Sequence, residues 1–312
     1  MAPPVRRRTF IASAAALPVA LYGPLRGPTM NAAPFAQRAD VESGVHRRVD
    51  SINWYYELRG RGPTVVLIPS GEGDCGSFQK VATSLSTEFT VLTFDMPGFS
   101  RSSDPPDFAN YSMSRAASEI SALMDTLGLG PATVYGCSSG GHIALCMVAE
   151  HTALVTNVVV HEVAGMRRAA VPVAPLPIDF IASLAGKSDA DIVTACEERF
   201  RNELNEIPGP WDGLGGAFHK RLERNYVTWV RRYIAPGRFR TFTAADLRRC
   251  PITWSVGALT PASRAVDNVI AARGADIDIA LLPCRHFPQV TIPEALSQHI
   301  AGVARDDRNP AR

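Results

Sequence analysis

The fold is decided by the stretch ATVYGCSSGG at residues 132–141. Residues 132–135 are mostly apolar or β-branched and predict a strand, and residues 141–150 carry a helical pattern. Between them stands Gly-Cys-Ser-Ser-Gly, which is the pattern G-x-S-x-G. A turn this sharp needs glycine on both flanks because a Cβ there would clash, and it lifts the central hydroxyl off the backbone. The stretch therefore predicts a nucleophilic serine, Ser138, on a strand-to-helix turn.

Similar apolar, β-branched runs recur on both sides of this stretch, with helical patterns between them. Strand and helix alternate, which predicts a mainly parallel central sheet covered by helices on both faces. The predicted strands are 45–50, 52–58, 64–68, 90–94, 132–135, 156–160, 252–256 and 277–282, and the predicted helices are 77–85, 114–127, 141–150, 262–273 and 293–303.

The alternation breaks once, between residues 165 and 247. This part is rich in proline at its start and then shows helical patterns around 189–204 and 216–233. It predicts a helical cap inserted between two strands, over the edge where open α/β sheets bind ligands. We therefore expect a core formed by residues 43–164 and 243–308 and a cap formed by residues 165–242.

Residues 1–42 are expected to lie outside the fold. Three arginines at residues 6–8 precede a short apolar segment, residues 12–22, as in a twin-arginine export signal or a mitochondrial targeting peptide. A disordered extension, or translation from Met30, explains the same stretch. The predicted location is the cytoplasm, with export and mitochondrial targeting through residues 1–30 as the alternatives.

The composition of the whole chain is that of an ordinary globular protein. Of 312 residues, 46% are hydrophobic and 20% are charged, and the net charge of +2 shows no basic stripe. We predict no nucleic-acid partner and no integral membrane segment, because no apolar run is long enough to span a bilayer. Six cysteines at irregular spacings, without a C-x-x-C pair, predict reduced thiols rather than disulfides or a metal site. A homodimer stays possible.

The base that activates Ser138 should lie on a loop after a late strand. His286 meets this requirement, because it follows the strand predicted at 277–282 and precedes the last helix. His161, at the end of an earlier strand, is the second candidate.

The acid that orients the base stands in an unusual place. Hydrolases of this kind often carry it in a G-x-x-D turn after the penultimate strand, but the turn here begins at Gly257 and ends in Thr260. Glu162 stands instead at the end of the strand predicted at 156–160, where a carboxylate is costly to bury without a partner or a task. Glu162 is therefore the predicted acid, with Asp267 as the alternative.

The oxyanion hole requires two backbone N–H groups near Ser138. The strand predicted at 64–68 is followed by the glycine-bearing loop 69–74, and such a loop supplies one of them. The residue after the nucleophile supplies the other. We therefore predict Gly71 and Ser139 as the two donors.

Together, five segments of the chain resemble the zearalenone lactonases, which are α/β hydrolases that open the macrocyclic lactone of a resorcylic mycotoxin. The segments are 52–57, 93–98, 136–140, 161–162 and 282–288, and the resemblance covers roughly residues 45–305. It implies the α/β-hydrolase fold with an inserted helical cap. It also implies ester hydrolysis by Ser138, Glu162 and His286, without a metal or an organic cofactor.

The resemblance also implies contacts with an apolar ester or lactone substrate. Trp229 and Tyr233 match aromatic residues that the family carries near the substrate, although simple packing within the cap is the alternative for both. Ser70 stands where the family usually has an acidic residue, and we assign it, with Phe287, to the substrate pocket. The alternatives to a lactonase are a general carboxylesterase or C–C bond hydrolase of the same fold, or a non-catalytic ligand receptor.

Overall fold

The centre of the fold is an eight-stranded sheet in the computed structural model, which describes residues 42–166, 177–234 and 238–305. The strands are β1 (Glu42–Val49), β2 (Ile52–Arg59), β3 (Thr64–Ile68), β4 (Thr90–Phe94), β5 (Ala132–Cys137), β6 (Val155–His161), β7 (Ile252–Gly257) and β8 (Ile279–Leu282). Their order is β1-β2-β4-β3-β5-β6-β7-β8. The β1–β2 and β2–β4 pairs are antiparallel, and the pairs from β4 to β8 are parallel.

Helices connect the strands and pack against the sheet and each other. They are α1 (Gln79–Leu85), α2 (Met113–Leu127), α3 (Ser139–Glu150), α4 (Pro177–Ser183), α5 (Asp189–Glu198), α6 (Pro208–Asp212), α7 (Gly216–Thr228), α8 (Ala244–Leu247), α9 (Ala262–Gly274), α10 (Pro288–Thr291) and α11 (Pro293–Ala304). Helix α2 illustrates how the sequence sets their ends. The Ser112 side chain accepts the N–H of Arg115 at its start, and Gly128 ends it with φ of 67°.

This architecture confirms the predicted fold class. The central strands are buried on both faces, as their continuous apolar runs predicted. Between β6 and β7 the chain leaves the sheet, and residues 177–234, which we call the cap segment, contain α4 to α7. The domain boundaries at residues 164 and 243 stay a prediction.

The predictions that remain concern the N-terminal segment, membrane-spanning helices and the cysteines. The first 41 residues lie outside the described residues, and with them the predicted extension or targeting segment and the location that depends on it. No helix within the described ranges is both long and apolar enough to cross a membrane. All six cysteines are buried, and each is a free thiol.

The cap segment is tied to the core through the buried carboxylate of Asp74. Arg221 of α7 donates from Nε to Asp74 Oδ2 at 2.6 Å, and Ser100 Oγ donates to the same oxygen at 2.6 Å. Asn225, one turn after Arg221, accepts the Ser100 N–H and donates to the carbonyl of Glu72, both at 2.7 Å. Burial would raise the pKa of Asp74, but the hydrogen bonds from Arg221 and Ser100 lower it. These contacts hold α7 over the loop that follows β3.

Candidate active site

The turn after β5 holds Ser138 in a strained conformation. Its φ of 55° and ψ of −119° lie outside the usual regions for L-residues, at a cost on the order of 1–3 kcal/mol. The Ser138 N–H donates to the carbonyl of His161 at 2.9 Å, and the Ser138 carbonyl accepts the N–H of Ala164 at 3.0 Å. A Cβ at Gly136 would lie 2.2 Å from the carbonyl oxygen of Gly140. Glycine at this flank of the serine is therefore a steric requirement.

Glu162 and His286 form a hydrogen-bonded pair at the carboxyl edge of the sheet. Glu162 directly follows β6, and His286 follows β8. Glu162 Oε2 lies 2.7 Å from His286 Nδ1, and Glu162 Oε1 accepts the N–H of Gly257 at 2.8 Å. A carboxylate only accepts hydrogen bonds, so the imidazole carries its proton on Nδ1. The lone pair on His286 Nε2 is then available to take a proton.

The Glu162 carboxylate is ionised although it is only 3% exposed. Burial raises the pKa of such a group, but the hydrogen bond from His286 and the electrostatic interaction with the neighbouring imidazoles outweigh burial and lower the Glu162 pKa to about 2. This anion can therefore stabilise an imidazolium on His286 at ordinary working pH.

The two alternative residues take other positions. His161 is fully buried, with Nδ1 2.9 Å from Ser255 Oγ and Nε2 3.2 Å from the carbonyl oxygen of Arg285. Burial lowers the pKa of His161 to about 4, so the ring is neutral and donates from Nε2. It supports the residue before His286. Asp267 lies within α9 and lines the same cavity as Ser138. The His286 ring is hydrogen-bonded to Glu162 instead.

The backbone of His286 is held from both the core and the cap segment. Its N–H donates to the carbonyl of Leu204 at 3.0 Å, and its carbonyl accepts from Cys137 Sγ at 3.0 Å. The backbone at His286 is therefore fixed by Cys137, the residue before the nucleophile, and by Leu204 of the cap segment.

The loop after β3 brings Ser70 and Gly71 into the same cavity as Ser138. A Cβ at Gly71 would lie only 2.7 Å from Trp229 Nε1, so the indole packs directly on this glycine. Ser139 is the first residue of α3 and is buried. Its N–H belongs to the amides at a helix N-terminus that have no partner within the helix. Of the two predicted oxyanion donors, Ser139 therefore follows Ser138 directly in the chain, and Gly71 lines the same cavity as Ser138.

A cleft of about 800 Å³, including space open to solvent, joins these groups. Among the predicted site residues, those on its lining are Ser70, Gly71, Ser138, Glu162, Trp229, His286 and Phe287. The Phe287 ring is 1% exposed and stacks on Trp211 at 5.8 Å between centroids, which fixes its orientation.

Tyr233 lies away from this lining. Its ring is 1% exposed and packs edge-on against Phe99 at 5.0 Å and against Tyr111 at 5.8 Å. Burial raises the pKa of its hydroxyl, which has no hydrogen-bond partner within the described residues. The surroundings of Tyr233 thus match the packing alternative that the sequence left open.

Two arginines on the cavity lining were not predicted from the sequence. Arg199 follows α5, and Arg264 lies near the start of α9. The charged stretch EERFRNE, residues 197–203, does not single out Arg199. Arg201 in the same stretch pairs with the half-exposed Asp212 instead. Only the local helix geometry separates the two side chains.

One group of metal-ligating residue types occurs within the described parts of the chain. Side-chain atoms of Asp74, Cys75 and Asp95 lie within 4.8 Å of one another. Arg221 Nε donates to Asp74 and Arg101 Nε donates to Asp95, each at 2.6 Å. These guanidinium groups supply the positive charge that a metal ion would bring, so the cluster is an ion-pair network.

The chain is similar in sequence to known α/β hydrolases. A family model described as the alpha/beta hydrolase fold matches residues 63–185. A zearalenone hydrolase of Cladophialophora bantiana is 38% identical over 263 residues, which are 82% of this chain and 94% of that protein. A zearalenone hydrolase of Bionectria ochroleuca is 33% identical over 256 residues, which are 80% of this chain and 93% of that protein.

The fold is also similar to solved structures of low sequence identity. The crystal structure of an enol-lactonase from Burkholderia xenovorans superimposes with a TM-score of 0.65 at 18% identity, over 83% of this chain and 98% of that chain. At this identity the likeness shows the fold alone. The two curated relatives, by contrast, match over nearly their whole length.

Proposed function

Because the chain belongs to the zearalenone hydrolase family of α/β hydrolases, it is an ester or lactone hydrolase, and we propose that Ser138, His286 and Glu162 carry out its reaction. The observation that carries the proposal is the 2.7 Å contact between Glu162 and His286, on the same cavity as the strained Ser138. An oriented imidazole on the same cavity as a serine at a strand-to-helix turn is the arrangement that nucleophilic acyl transfer needs.

In the first step Ser138 Oγ forms a bond to the carbonyl carbon of the substrate. His286 Nε2 accepts the hydroxyl proton, and the Glu162 carboxylate stabilises the resulting imidazolium through Nδ1. The carbonyl oxygen becomes an oxyanion, which accepts hydrogen bonds from the N–H groups of Gly71 and Ser139. The N-terminal end of α3 adds a favourable electrostatic field at that oxygen.

In the second step the bond between the carbonyl carbon and the alcohol oxygen breaks. The alkoxide takes the proton from His286 and leaves Ser138 acylated. A water molecule, deprotonated by His286, then attacks the acyl carbon and releases the carboxylic acid and free Ser138. For a lactone, both product groups stay on one molecule as a hydroxy acid.

We further propose a macrocyclic resorcylic lactone such as zearalenone as the substrate. The two curated relatives carry that activity in their names. The cavity offers Trp229, 7% exposed, and the buried Phe287 as aromatic surfaces for an apolar ring. The indole N–H beside Gly71 supplies a polar contact close to the proposed oxyanion hole.

Two measurements test the proposal. A fluorophosphonate probe should label the native protein at Ser138, located by peptide mass spectrometry, and labelling should vanish in Ser138→Ala. Chromatography should show ring opening of zearalenone by the wild type. Labelling without ring opening would leave the triad in place and reject the substrate, and a panel of other lactones, aryl esters and β-diketones would then rank the alternatives. A folded protein that no probe labels would reject the triad.

A further inference from the structure

Two connections between the core and the cap segment meet on one buried side chain of α3, that of His142. The outgoing connection, residues 162–166, follows β6, and the return connection, residues 238–243, precedes α8. His142 Nδ1 lies 2.9 Å from the carbonyl oxygen of Ala164 in the outgoing connection. His142 Nε2 lies 3.0 Å from the backbone nitrogen of Arg240 in the return connection. One imidazole therefore bonds both connections to the helix that follows Ser138.

The two contacts determine which nitrogen of the His142 ring carries the proton. A carbonyl only accepts hydrogen bonds, so Nδ1 is protonated, and a backbone N–H only donates, so Nε2 offers its lone pair. The ring is therefore neutral. Burial lowers the pKa of His142 to about 4, against the opposing effect of the bond to Ala164, and the charge of Arg240 lowers it further. The neutral ring is thus the stable form at ordinary working pH.

The outgoing connection forms part of the cavity, and we call residues 163–166 the wall because all four line it. A Cβ at Gly165 would lie 2.4 Å from the Phe239 ring, so the return connection packs directly on the wall. The Phe239 ring also packs edge-on against the His142 ring, with 5.0 Å between centroids. His142 is not on the cavity lining itself. It holds the wall and the aromatic ring that packs on it.

The backbone of the same residues is bonded to the nucleophile. The Ser138 carbonyl accepts the N–H of His142 at 3.1 Å and the N–H of Ala164 at 3.0 Å. These bonds use main-chain groups, so a change of the His142 side chain removes neither of them. The side chain can therefore affect the wall while the turn that carries Ser138 keeps its own bonds.

We propose that His142 is a positioning residue, which sets the place of the wall relative to Ser138 and so favours bulky substrates over small ones. The proposal rests on the proposed function, because it concerns substrates that react at Ser138. Without the ring, the Ala164 carbonyl and the Arg240 N–H lose these partners, and both connections are free to shift. A macrocyclic lactone depends on the shape of the wall, whereas an acetyl ester fills little of the cavity.

Two variants test the proposal on zearalenone and on para-nitrophenyl acetate. His142→Leu keeps an apolar side chain but removes both bonds, and His142→Gln keeps one donor and one acceptor on a planar group. In His142→Leu the KM for zearalenone should rise by about tenfold, while kcat on the acetate stays within about twofold of the wild type. His142→Gln should restore most of the lost affinity. If the wild type leaves zearalenone closed, the bulkiest lactone that it opens takes its place.

His151→Leu is the matched control. His151 directly follows α3, is partly exposed, and contacts the Ser118 hydroxyl at 3.0 Å through Nε2. It is not on the cavity lining, so its replacement should change the KM of neither substrate.

A spectroscopic measurement tests the bonding of the ring independently of activity. Nuclear magnetic resonance of protein labelled with nitrogen-15 histidine, at about pH 6.5, reports which ring nitrogens are protonated. The signals that disappear in His142→Gln belong to His142. They should show a protonated Nδ1 and an unprotonated Nε2, which is the tautomer opposite to that of His161.

The outcomes separate the role of His142 from the chemistry. An equal loss on both substrates in His142→Leu, or a loss that His142→Gln does not reduce, would overturn the positioning role and leave the hydrolase intact. A His142 ring protonated on Nε2 would overturn it as well, even if His142→Leu fails to fold. Hydrolysis of neither substrate, with no fluorophosphonate label on Ser138, would overturn both proposals. A rise in KM confined to the bulky lactone and reversed by His142→Gln would establish the role.

Discussion

The core and the cap segment contribute to the cavity in different ways. From the core come Ser138, Glu162 and His286, each on a turn or loop that follows a parallel strand of the sheet. From the cap segment come Arg199 and Trp229, each at the first residue of a π-turn. The core groups are held by backbone hydrogen bonds between strands, whereas the cap groups depend on how helices and side chains pack.

This difference suggests a division of tasks. Parallel strands fix the spacing of the turns at their carboxyl ends, so three reacting groups can keep one geometry while the surroundings vary. The cap segment meets the core through side chains such as Arg221 and Asn225, which fix its distance but leave its inner surface to local packing. We expect substitutions of the three reacting groups to abolish turnover and substitutions in the cap segment to change the choice of substrate.

The largest effect is expected for Ser138→Ala. Loss of the nucleophile should lower kcat by about 10⁴-fold or more, while the cap surface continues to bind substrate. Stopped assays with zearalenone or an aryl ester would measure the rate, and calorimetric titration would measure binding. A variant that loses binding in proportion to turnover would contradict the separation of core from cap.

Glu162→Gln should have the next largest effect. The amide keeps the shape but carries no charge and can place its N–H₂ group against His286 Nδ1, which favours the wrong tautomer. A loss of about 10³- to 10⁴-fold in kcat is expected, with little change in KM. Retention of more than a tenth of the wild-type kcat would argue against Glu162 as the acid.

The same variant tests the ionisation of Glu162 in the folded state. The pKa of Glu162 falls from 4.5 to about 2 on folding, so the stabilisation it gives is complete above pH 5 and is lost as the pH falls towards 2. The loss is on the order of 2 kcal/mol in the wild type and absent in Glu162→Gln. Denaturant titrations of both proteins between pH 5 and pH 3 would reveal it as a difference in slope.

Trp229→Phe probes the cap segment and should have a moderate effect. The ring surface is largely kept, but the N–H that lies beside Gly71 is removed. We expect kcat/KM for a bulky lactone to fall by about tenfold, mainly through KM. A small aryl ester serves as the comparison substrate and should be less affected. An equal loss of kcat on both substrates would move Trp229 into the catalytic part of the site.

The smallest effect is expected for Tyr233→Phe. The hydroxyl is buried without a partner in the described residues, so its removal should leave the free energy of unfolding unchanged or raise it by about 1 kcal/mol. Activity should stay within about twofold of the wild type. Tyr226→Phe is a matched control, because Tyr226 lies on α7 and its buried hydroxyl also has no hydrogen-bond partner among the described residues. A large loss of kcat/KM in Tyr233→Phe alone would return Tyr233 to the substrate contacts.

Much of the core followed from local sequence patterns. Continuous apolar runs marked the parallel strands, because a strand buried on both faces has no polar side to show. The elbow was visible because a strand, two glycines and a helix must follow one another in order. The turn from Gly257 to Thr260 was informative as well. It has threonine where such hydrolases often carry the acid, and this absence pointed to Glu162 as the acid.

The cap segment was less predictable, for a physical reason. A helical pattern gives the face that each residue occupies only while the helix keeps 3.6 residues per turn. A π-turn shifts that register, and two such turns occur where the cap segment meets the cavity. Periodicity therefore gave no reason to separate Arg199 from Arg201, or to place Trp229 on the cavity lining and Tyr233 away from it.

The sequence by itself determined the order of strands and helices, the elbow at Ser138 and a carboxylate at a strand end, because each depends on neighbours along the chain. Only the tertiary structure decided that Glu162 meets His286 across 124 positions of sequence, and that Arg199 shares Glu203 with Arg264. Both contacts join distant segments, so strand pairing and cap packing determine them. The identity of the residues alone does not determine these contacts.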